Sequence, residues 1–147
     1  MKTIVAPIDF SDVTDAVVES AANLSKALQV PLYLLHIAPP DPYFIGYEPG
    51  PQTVRDNVAQ KIRKGQHMLQ ELETQMKARG FDVHCLLVQG ATEDKIIQEA
   101  NRLEAQMIVI GSHGHGALMK LLVGSVAEGV LRKAKCPVLI VPSAKKV

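Results

Sequence analysis

The chain has 147 residues, of which 47% are hydrophobic and 21% charged, and this composition suits a folded domain and excludes a disordered segment. We therefore predict a single domain spanning residues 1–147. Sixteen Lys and Arg residues against fifteen Asp and Glu residues give a net charge of +1, so no general electrostatic field attracts nucleic acid or an anionic membrane.

No apolar run approaches the roughly 18 residues that span a bilayer. Pro7 and Asp9 follow the first residue too closely for a secretory signal, so we expect a cytoplasmic protein with no membrane or nucleic-acid partner. Two cysteines, Cys85 and Cys136, are too few for a disulfide framework, and we expect both to be reduced core residues.

Short apolar runs rich in Val, Ile and Leu alternate with longer segments of helical periodicity. Continuous apolar runs of this kind are typical of strands that are buried on both faces of a parallel sheet. The five predicted strands are residues 3–8, 32–38, 83–88, 107–110 and 138–141. The alternation predicts an α/β fold with an open parallel sheet and helices on both faces.

The first two helical segments have recognisable start and stop signals. Over residues 13–28 the apolar side chains recur every three or four positions, and Ser11 or Asp12 is placed to cap the start. The longest helix is predicted over residues 54–76 and ends at Gly80, where a left-handed residue commonly follows a helix.

The third helix opens at Thr92, with acidic residues in its first turn that favour the positive end of the helix dipole. The last helix is predicted to start at Ser125, because Ser125 to Glu128 fits a capping box, and to end near Ala134 before Cys136-Pro137.

A glycine pattern lies between the fourth strand and the last helix. Gly111-Ser112-His113-Gly114 is followed, nine residues later, by Gly124-Ser125. Glycines let the backbone approach an anion closely, and free amides at a helix start donate to phosphate oxygens. In an open α/β sheet this segment, Asp9 and the end of the second strand all lie at the carboxyl edge, where ligands bind.

The segment from Pro39 to Pro51 holds five of the nine prolines of the chain. It leaves the second strand at the same edge, so it could be a flap over a ligand or a partner surface. A proline-stiffened surface loop explains the composition equally well.

Together these motifs resemble the universal stress protein family, in its ATP-binding branch. Every fixed position of that branch's glycine motif is present, and Pro7-Ile8-Asp9-Phe10-Ser11, His36-Ile37 and the segment 136–142 are similar to further family segments, so the resemblance covers the whole chain. The resemblance implies a Rossmann-like, adenine nucleotide alpha hydrolase-like sheet of strand order 3-2-1-4-5, and usually a dimer.

The resemblance also implies roles for individual residues at an ATP site, with or without Mg²⁺. Asp9 would accept hydrogen bonds from the ribose, although a turn-forming aspartate is the alternative. Ile37 would offer its backbone to adenine, and Ser125 would donate to phosphate or act only as an N-cap. The implied nucleotide-binding residues are Pro7, Ile8, Asp9, Ile37, Ile110, Gly111, Ser112, His113, Gly114, His115, Gly116, Gly124, Ser125 and Val126.

Metal and catalytic interpretations of the histidines are weaker. His113 and His115 have a spacing that zinc ligands can show, but no Cys, Asp or Glu nearby in sequence completes a tetrahedron, so we expect their amides to line the loop. Two roles are equally compatible with Lys120, a contact to phosphate and a solvated surface lysine. We interpret His36 as a satisfied core histidine and predict no catalytic residue and no metal site.

The leading hypothesis is an ATP-binding stress or regulatory protein that acts through conformation or partners. The chain lacks the P-loop, the third glycine of a dinucleotide fingerprint, a nucleophile elbow and His-Glu-x-x-His. The alternatives are a slow ATPase or autophosphorylating enzyme of the same superfamily, and an interaction module without a ligand. Because Val138–Val141 would form a sheet edge, we expect a homodimer through this strand unless the tail shields it.

Overall fold

The structure is a computed structural model that describes residues 2–38, 52–113 and 123–143. The segment 39–51, with its predicted flap, lies outside the described residues. Strands and helices alternate along the described chain, in the order β1 (Thr3–Pro7), α1 (Thr14–Leu28), β2 (Leu32–Ala38), α2 (Gln52–Ala78), β3 (Val83–Gln89), α3 (Thr92–Arg102), β4 (Ala105–Gly111), α4 (Ser125–Lys133) and β5 (Val138–Val141).

The strands form one sheet in the order β3-β2-β1-β4-β5, and every neighbouring pair is parallel. This arrangement confirms the predicted fold class and strand order. The predicted strand positions are also confirmed, although β1 ends one residue earlier than predicted and β4 begins two residues earlier, at Ala105.

Both faces of the sheet are buried, as the continuous apolar runs predicted. Along β1, Ile4 and Ala6 pack with residues of α1 and α2, whereas Val5 packs on the opposite face with residues of α3 and α4. Successive side chains of a strand point to opposite faces, so helices on both sides are needed to keep each strand dry. No helix of the described ranges is long and apolar enough to cross a membrane.

The end of α2 forms as predicted. Gly80 has a φ of +90°, and the Phe81 amide donates to the Met76 carbonyl over 3.1 Å, which closes the helix in a Schellman arrangement.

The predicted N-caps of α1 and α4 are wrong. Helix α1 begins at Thr14 with Val13 as its N-cap, and the Ser11 carbonyl accepts from the Thr14 amide instead of the Ser11 or Asp12 side chain capping the helix. In α4 the N-cap is Gly124, so Ser125 lies one residue inside the helix and the capping box does not form.

Both cysteines are free thiols, as predicted, but they are only partly buried. Burial of Cys85, together with the nearby Glu73 carboxylate, raises the pKa of its thiol from 9.0 to about 12. The thiol of Cys85 is therefore protonated at neutral pH and is a poor nucleophile.

We predict that Cys85 reacts with iodoacetamide at pH 8 roughly a thousandfold more slowly in the folded protein than in the urea-unfolded protein, because three pKa units separate the two thiolate populations. Because the pKa of this thiol is higher in the folded state than in the unfolded state, its ionisation lowers the free energy of unfolding as the pH rises from about 9 to about 12. Alkylation rates in a Cys136→Ala background measure the effect, and equal rates in both states would contradict it.

Candidate functional site

The carboxyl edge of the sheet brings together three segments that are distant in sequence. Asp9 follows β1, Ser112 and His113 follow β4, and Gly124 begins α4. Strands β1 and β4 are neighbours in the sheet, and the chain leaves them on opposite sides, since β2 flanks β1 and β5 flanks β4. This is the topological switch point at which open α/β sheets form their ligand crevice.

Ser112 holds the junction between β4, α4 and β5. Its carbonyl accepts from the Gly124 amide over 2.6 Å, and its own amide donates to the Val141 carbonyl over 2.8 Å. Its hydroxyl accepts from the Ser143 amide over 3.2 Å and lies 3.1 Å from His113 Nδ1. The side chain of Ser112 is buried, and its bond to Gly124 holds together the chain on either side of the segment 113–123.

The middle of the segment 113–123 lies outside the described residues. The predicted site residues Gly114, His115 and Gly116, and Lys120, lie outside the described residues. The structure therefore places the two ends of the glycine motif, Gly111 and Gly124, and not its centre.

The start of α4 is open to a ligand. No side chain of the described residues caps it, and the first bond of the helix runs from the Glu128 amide to the Gly124 carbonyl. The amides of Ser125, Val126 and Ala127 therefore precede the helical ladder. Ser125 and Val126 are exposed, and amides at this positive end of the helix dipole can donate to an anion.

The two described glycines of the motif are required for different reasons. A Cβ at Gly124 would lie 3.1 Å from the Ser112 carbonyl oxygen, so this glycine permits the close approach of α4 to the end of β4. A Cβ at Gly111 would lie 2.6 Å from Val13 Cγ1, so Gly111 permits the packing of α1 on β4. The packing of α1 accounts for Gly111 without any ligand.

Asp9 forms a turn and is exposed. Its Oδ1 accepts from the Ser11 amide over 3.0 Å, and Phe10 between them has a left-handed φ of 58°. A non-glycine residue in this region is uncommon, and strain of this kind concentrates at functional sites. The turn role that the sequence left as an alternative is therefore present, while the exposed carboxylate remains at the crevice.

His36 supports this turn from behind. Its Nδ1 lies 3.0 Å from the Ile8 carbonyl oxygen, and its ring centroid lies 5.0 Å from that of Phe10. A Cβ at Gly65 of α2 would lie 3.2 Å from His36 Cδ2, so the ring fills the space between the helix and the turn. The sequence interpretation missed this positioning role, and the only signal for it was a glycine inside a helical pattern.

Among the described residues, two hydroxyls next to the Asp9 turn are buried without a hydrogen-bond partner. They are Ser11 Oγ and Thr14 Oγ1, at the start of α1. An unpaired buried hydroxyl is costly, and such groups commonly indicate a bound water or ligand.

The remaining predicted residues belong to the strands around the crevice. Ile8 and Ile110 are buried on opposite faces of the sheet, and Ile37 packs on the same face as Ile110. Pro7 is the last residue of β1. The side chains of the three isoleucines are used in packing, so a ligand would meet the backbone.

Within the described ranges, no group of three or more His, Cys, Asp or Glu side chains could hold a metal ion.

The fold defines an open, doubly wound α/β protein, and no side chain of the residues that the structure describes caps the helix N-terminus at the switch point. A model of the universal stress protein family matches residues 1–142. The chain belongs to the universal stress protein family.

Individual relatives agree with this assignment. The chain is 31% identical to universal stress protein MJ0531 of Methanocaldococcus jannaschii, over 99% of this chain and 84% of that protein. The structure of universal stress protein UspA from Lactobacillus plantarum is similar, with a TM-score of 0.83 at 20% identity over 95% of this chain and 97% of that one. A universal stress protein solved in complex with cAMP has a TM-score of 0.66 at 26% identity, over 97% and 98% of the two chains.

We predict that Gly111→Ala lowers the free energy of unfolding by about 1–3 kcal/mol, because the new methyl group overpacks the contact between α1 and β4. Urea unfolding measures the change. In a Val13→Ala background Gly111→Ala should lower the free energy of unfolding by less, because the smaller side chain at position 13 leaves space for the new methyl group. An unchanged loss would contradict the assigned contact.

Proposed function

We propose that this chain is a cytoplasmic regulatory protein that binds ATP at the carboxyl-edge crevice and acts as a homodimer. The observation that carries the proposal is the bond between the Gly124 amide and the Ser112 carbonyl, which brings the open start of α4 to the end of β4. Its output would be conformational or through a partner, because no motif of the chain supplies a nucleophile or a dedicated base.

The phosphates would bind at the start of α4. The three amides of Ser125, Val126 and Ala127 precede the helical ladder, and Gly124 has no side chain to obstruct their approach. Donors of this kind suit phosphate oxygens without a lysine. The side-chain hydroxyl of Ser125 adds a further donor, because this serine is not used as an N-cap.

The sugar and base would bind between β1 and β2. The Ile4 amide donates to the Pro31 carbonyl and the Ile8 amide to the Leu35 carbonyl, so alternate carbonyls from position 31 onward face β1. By this alternation the backbone of Ile37 faces the space beyond the end of β1, where Asp9 lies. A carboxylate and a free strand end suit the hydroxyls of a ribose and the edge of a base.

The known structures support the same ligand class. The universal stress protein solved with cAMP is 26% identical to this chain and has the same fold, and cAMP contains adenine, ribose and phosphate. The glycine motif of the present chain, with Gly111 at the end of β4 and Gly124 next to the start of α4, resembles that of the ATP-binding branch and therefore favours a ligand with a longer phosphate group.

We predict that Gly124→Val raises the Kd for ATP more than about tenfold, because the branched side chain separates α4 from Ser112 and covers the first-turn amides. Isothermal titration calorimetry measures the Kd. Gly80→Asn is the matched control, since Gly80 has a left-handed φ that asparagine tolerates and a Cβ added there would meet no atom within 4 Å outside its immediate chain neighbours.

An unchanged affinity in Gly124→Val would contradict the assigned phosphate site. Asp9→Asn tests the sugar contact in the same assay, since asparagine retains an oxygen for the Ser11 amide. If the carboxylate binds the ribose, this substitution lowers the affinity for ATP and leaves the affinity for 2′,3′-dideoxy-ATP nearly unchanged.

The β5 edge offers a short and well-defined ladder for dimerisation. The Ile108 amide donates to the Pro137 carbonyl and the Ser112 amide to the Val141 carbonyl. By alternation, the backbone groups of Val138 and Ile140 point away from β4. Pro137 and Pro142 flank the strand and have no amide hydrogen, so the usable edge is limited to these two residues.

This alternation predicts the register of the dimer. Antiparallel pairing about a twofold axis would place Val138 opposite Ile140 of the partner subunit, with four backbone hydrogen bonds and Leu139 on the axis. Leu139 is 39% exposed, so its side chain is accessible to a second copy.

We predict that Leu139→Cys, in a Cys136→Ala background, forms a disulfide-linked dimer under mild oxidation, because the Cα atoms of a non-hydrogen-bonded antiparallel pair lie about 4.5 Å apart. Non-reducing electrophoresis detects the product. Leu131→Cys is the control, since Leu131 is 46% exposed but lies on α4. Equal yields from the two variants would contradict the predicted register.

A further inference from the structure

The sheet has a second edge at β3, and its polar backbone groups can be assigned. The Leu32 amide donates to the Asp82 carbonyl over 2.9 Å, and the Gly90 amide donates to the Ala38 carbonyl over 3.2 Å. Even-numbered positions of β3 therefore bond to β2. The backbone groups that point away from the sheet are those of Val83, Cys85, Leu87 and Gln89.

A side chain of α2 covers the middle of this edge. Glu73 Oε2 accepts from the outward-pointing Cys85 amide over 2.8 Å, and Glu73 Oε1 accepts from Lys77 Nζ over 2.7 Å. These two bonds occupy both carboxylate oxygens. The hydrogen bond from Lys77, with help from the Cys85 amide, lowers the pKa of Glu73, so the group is ionised at neutral pH.

The position of α2 explains how Glu73 reaches this amide. The side chains of Val83, Cys85 and Leu87 pack on the face of the sheet that α2 covers, next to Leu69 and Met76 of that helix. Glu73 lies on α2 between those two core residues and is itself only partly buried. Its side chain therefore reaches the rim of the sheet, where a short side chain at the same position would not reach the strand.

The two edges of the sheet thus differ in a way that affects self-association. A strand edge with unpaired amides can pair with another chain, and proteins block such edges with charged side chains. Strand β3 is seven residues long, so it is the longer of the two edges, and β5 is four residues long. Glu73 covers the longer edge, whereas Leu139 of the shorter edge is exposed.

We infer that Glu73 is a gatekeeper that restricts self-association of this chain to β5, and that without it the β3 edge pairs with the β3 edge of a second copy. This inference rests on the proposed β5 dimer only for the size of the resulting assembly. If both edges pair, two different twofold axes alternate along the sheet, and the product is an open chain of dimers rather than a closed oligomer.

The test compares Glu73→Ala with Glu71→Ala by sedimentation velocity over a range of protein concentrations. Glu71 is the matched control, because it is an exposed glutamate on the same helix whose carboxylate pairs with His67 over 3.1 Å. We expect the mass of Glu73→Ala to exceed that of the wild type and to rise with concentration, while Glu71→Ala keeps the wild-type mass. Glu73→Gln, whose side-chain amide oxygen can still accept from the Cys85 amide, should also keep the wild-type mass.

Hydrogen exchange at the Cys85 amide provides a second measurement. This amide should be protected in the wild type by Glu73, and protected again in the enlarged assembly by strand pairing. A mass equal to that of the wild type together with fast exchange at Cys85 would overturn the inference, since the edge would be open and still not pair. If Glu73→Ala does not fold, Glu73→Leu retains length and helix propensity without an acceptor, and the same outcomes apply.

A double variant separates this inference from the proposed dimer. Leu139→Lys places like charges on the β5 axis and should give a monomer if the proposed dimer is correct. Adding Glu73→Ala to Leu139→Lys should then restore a dimer through β3. If the wild type is itself a monomer, the proposed dimer fails, and the gatekeeper role is still tested by whether Glu73→Ala raises the mass above that of Glu71→Ala.

Discussion

Burial of the parallel sheet on both faces is the constraint from which the rest of the structure follows. Helices α1 and α2 cover one face, and α3 and α4 cover the other, so the central strands are largely buried above and below, whereas Leu139 of the edge strand β5 is 39% exposed. The sheet then retains backbone groups that can bind something else at its two edges and its strand ends, and α4 retains the amides of its first turn. The ligand site that we propose lies at the strand ends, and the self-association that we propose uses the edges.

The strand-end site shows how little dedicated chemistry such a crevice needs. The donors that we propose are backbone amides at the start of α4, the carboxylate that we propose is Asp9, and Gly111 and Gly124 relieve two different contacts around them. The left-handed Phe10 and the buried hydroxyls of Ser11 and Thr14 lie on the same turn as Asp9. Among the described residues, the other two non-glycine residues with a left-handed φ, Gln29 and Glu104, precede β2 and β4, so only Phe10 of the three lies at the carboxyl end of the sheet.

The fold was largely predictable because its signals are local. Runs of Val, Ile and Leu indicate buried strands, Gly80 indicates a helix end, and both were confirmed. The caps at Ser125 and Ser11 were wrong because a cap depends on the path of the preceding loop, and the bond to Ser112 makes Gly124 the N-cap. The family resemblance, more than any single motif, indicated the strand order.

The contacts that depend on tertiary packing could not be predicted from one sequence. His36 meets Gly65 and the Ile8 carbonyl, and Glu73 meets the Cys85 amide, only because α2 lies across β2 and β3 at one particular register. No periodicity encodes that register. His36 matched the ordinary pattern of a core histidine and Glu73 belonged to no sequence motif, so the roles of both appear only when the helix is docked on the sheet.

Ser112 joins the end of β4, the start of α4 and the end of β5 into a single mechanical unit. Its amide and hydroxyl bind the chain at Val141 and Ser143, and its carbonyl binds Gly124. A displacement of α4 away from β4 would therefore be transmitted to the last residues of β5 through one buried residue. Thermodynamic coupling between two sites is reciprocal, so any event that orders one end of this unit strengthens the other by the same free energy.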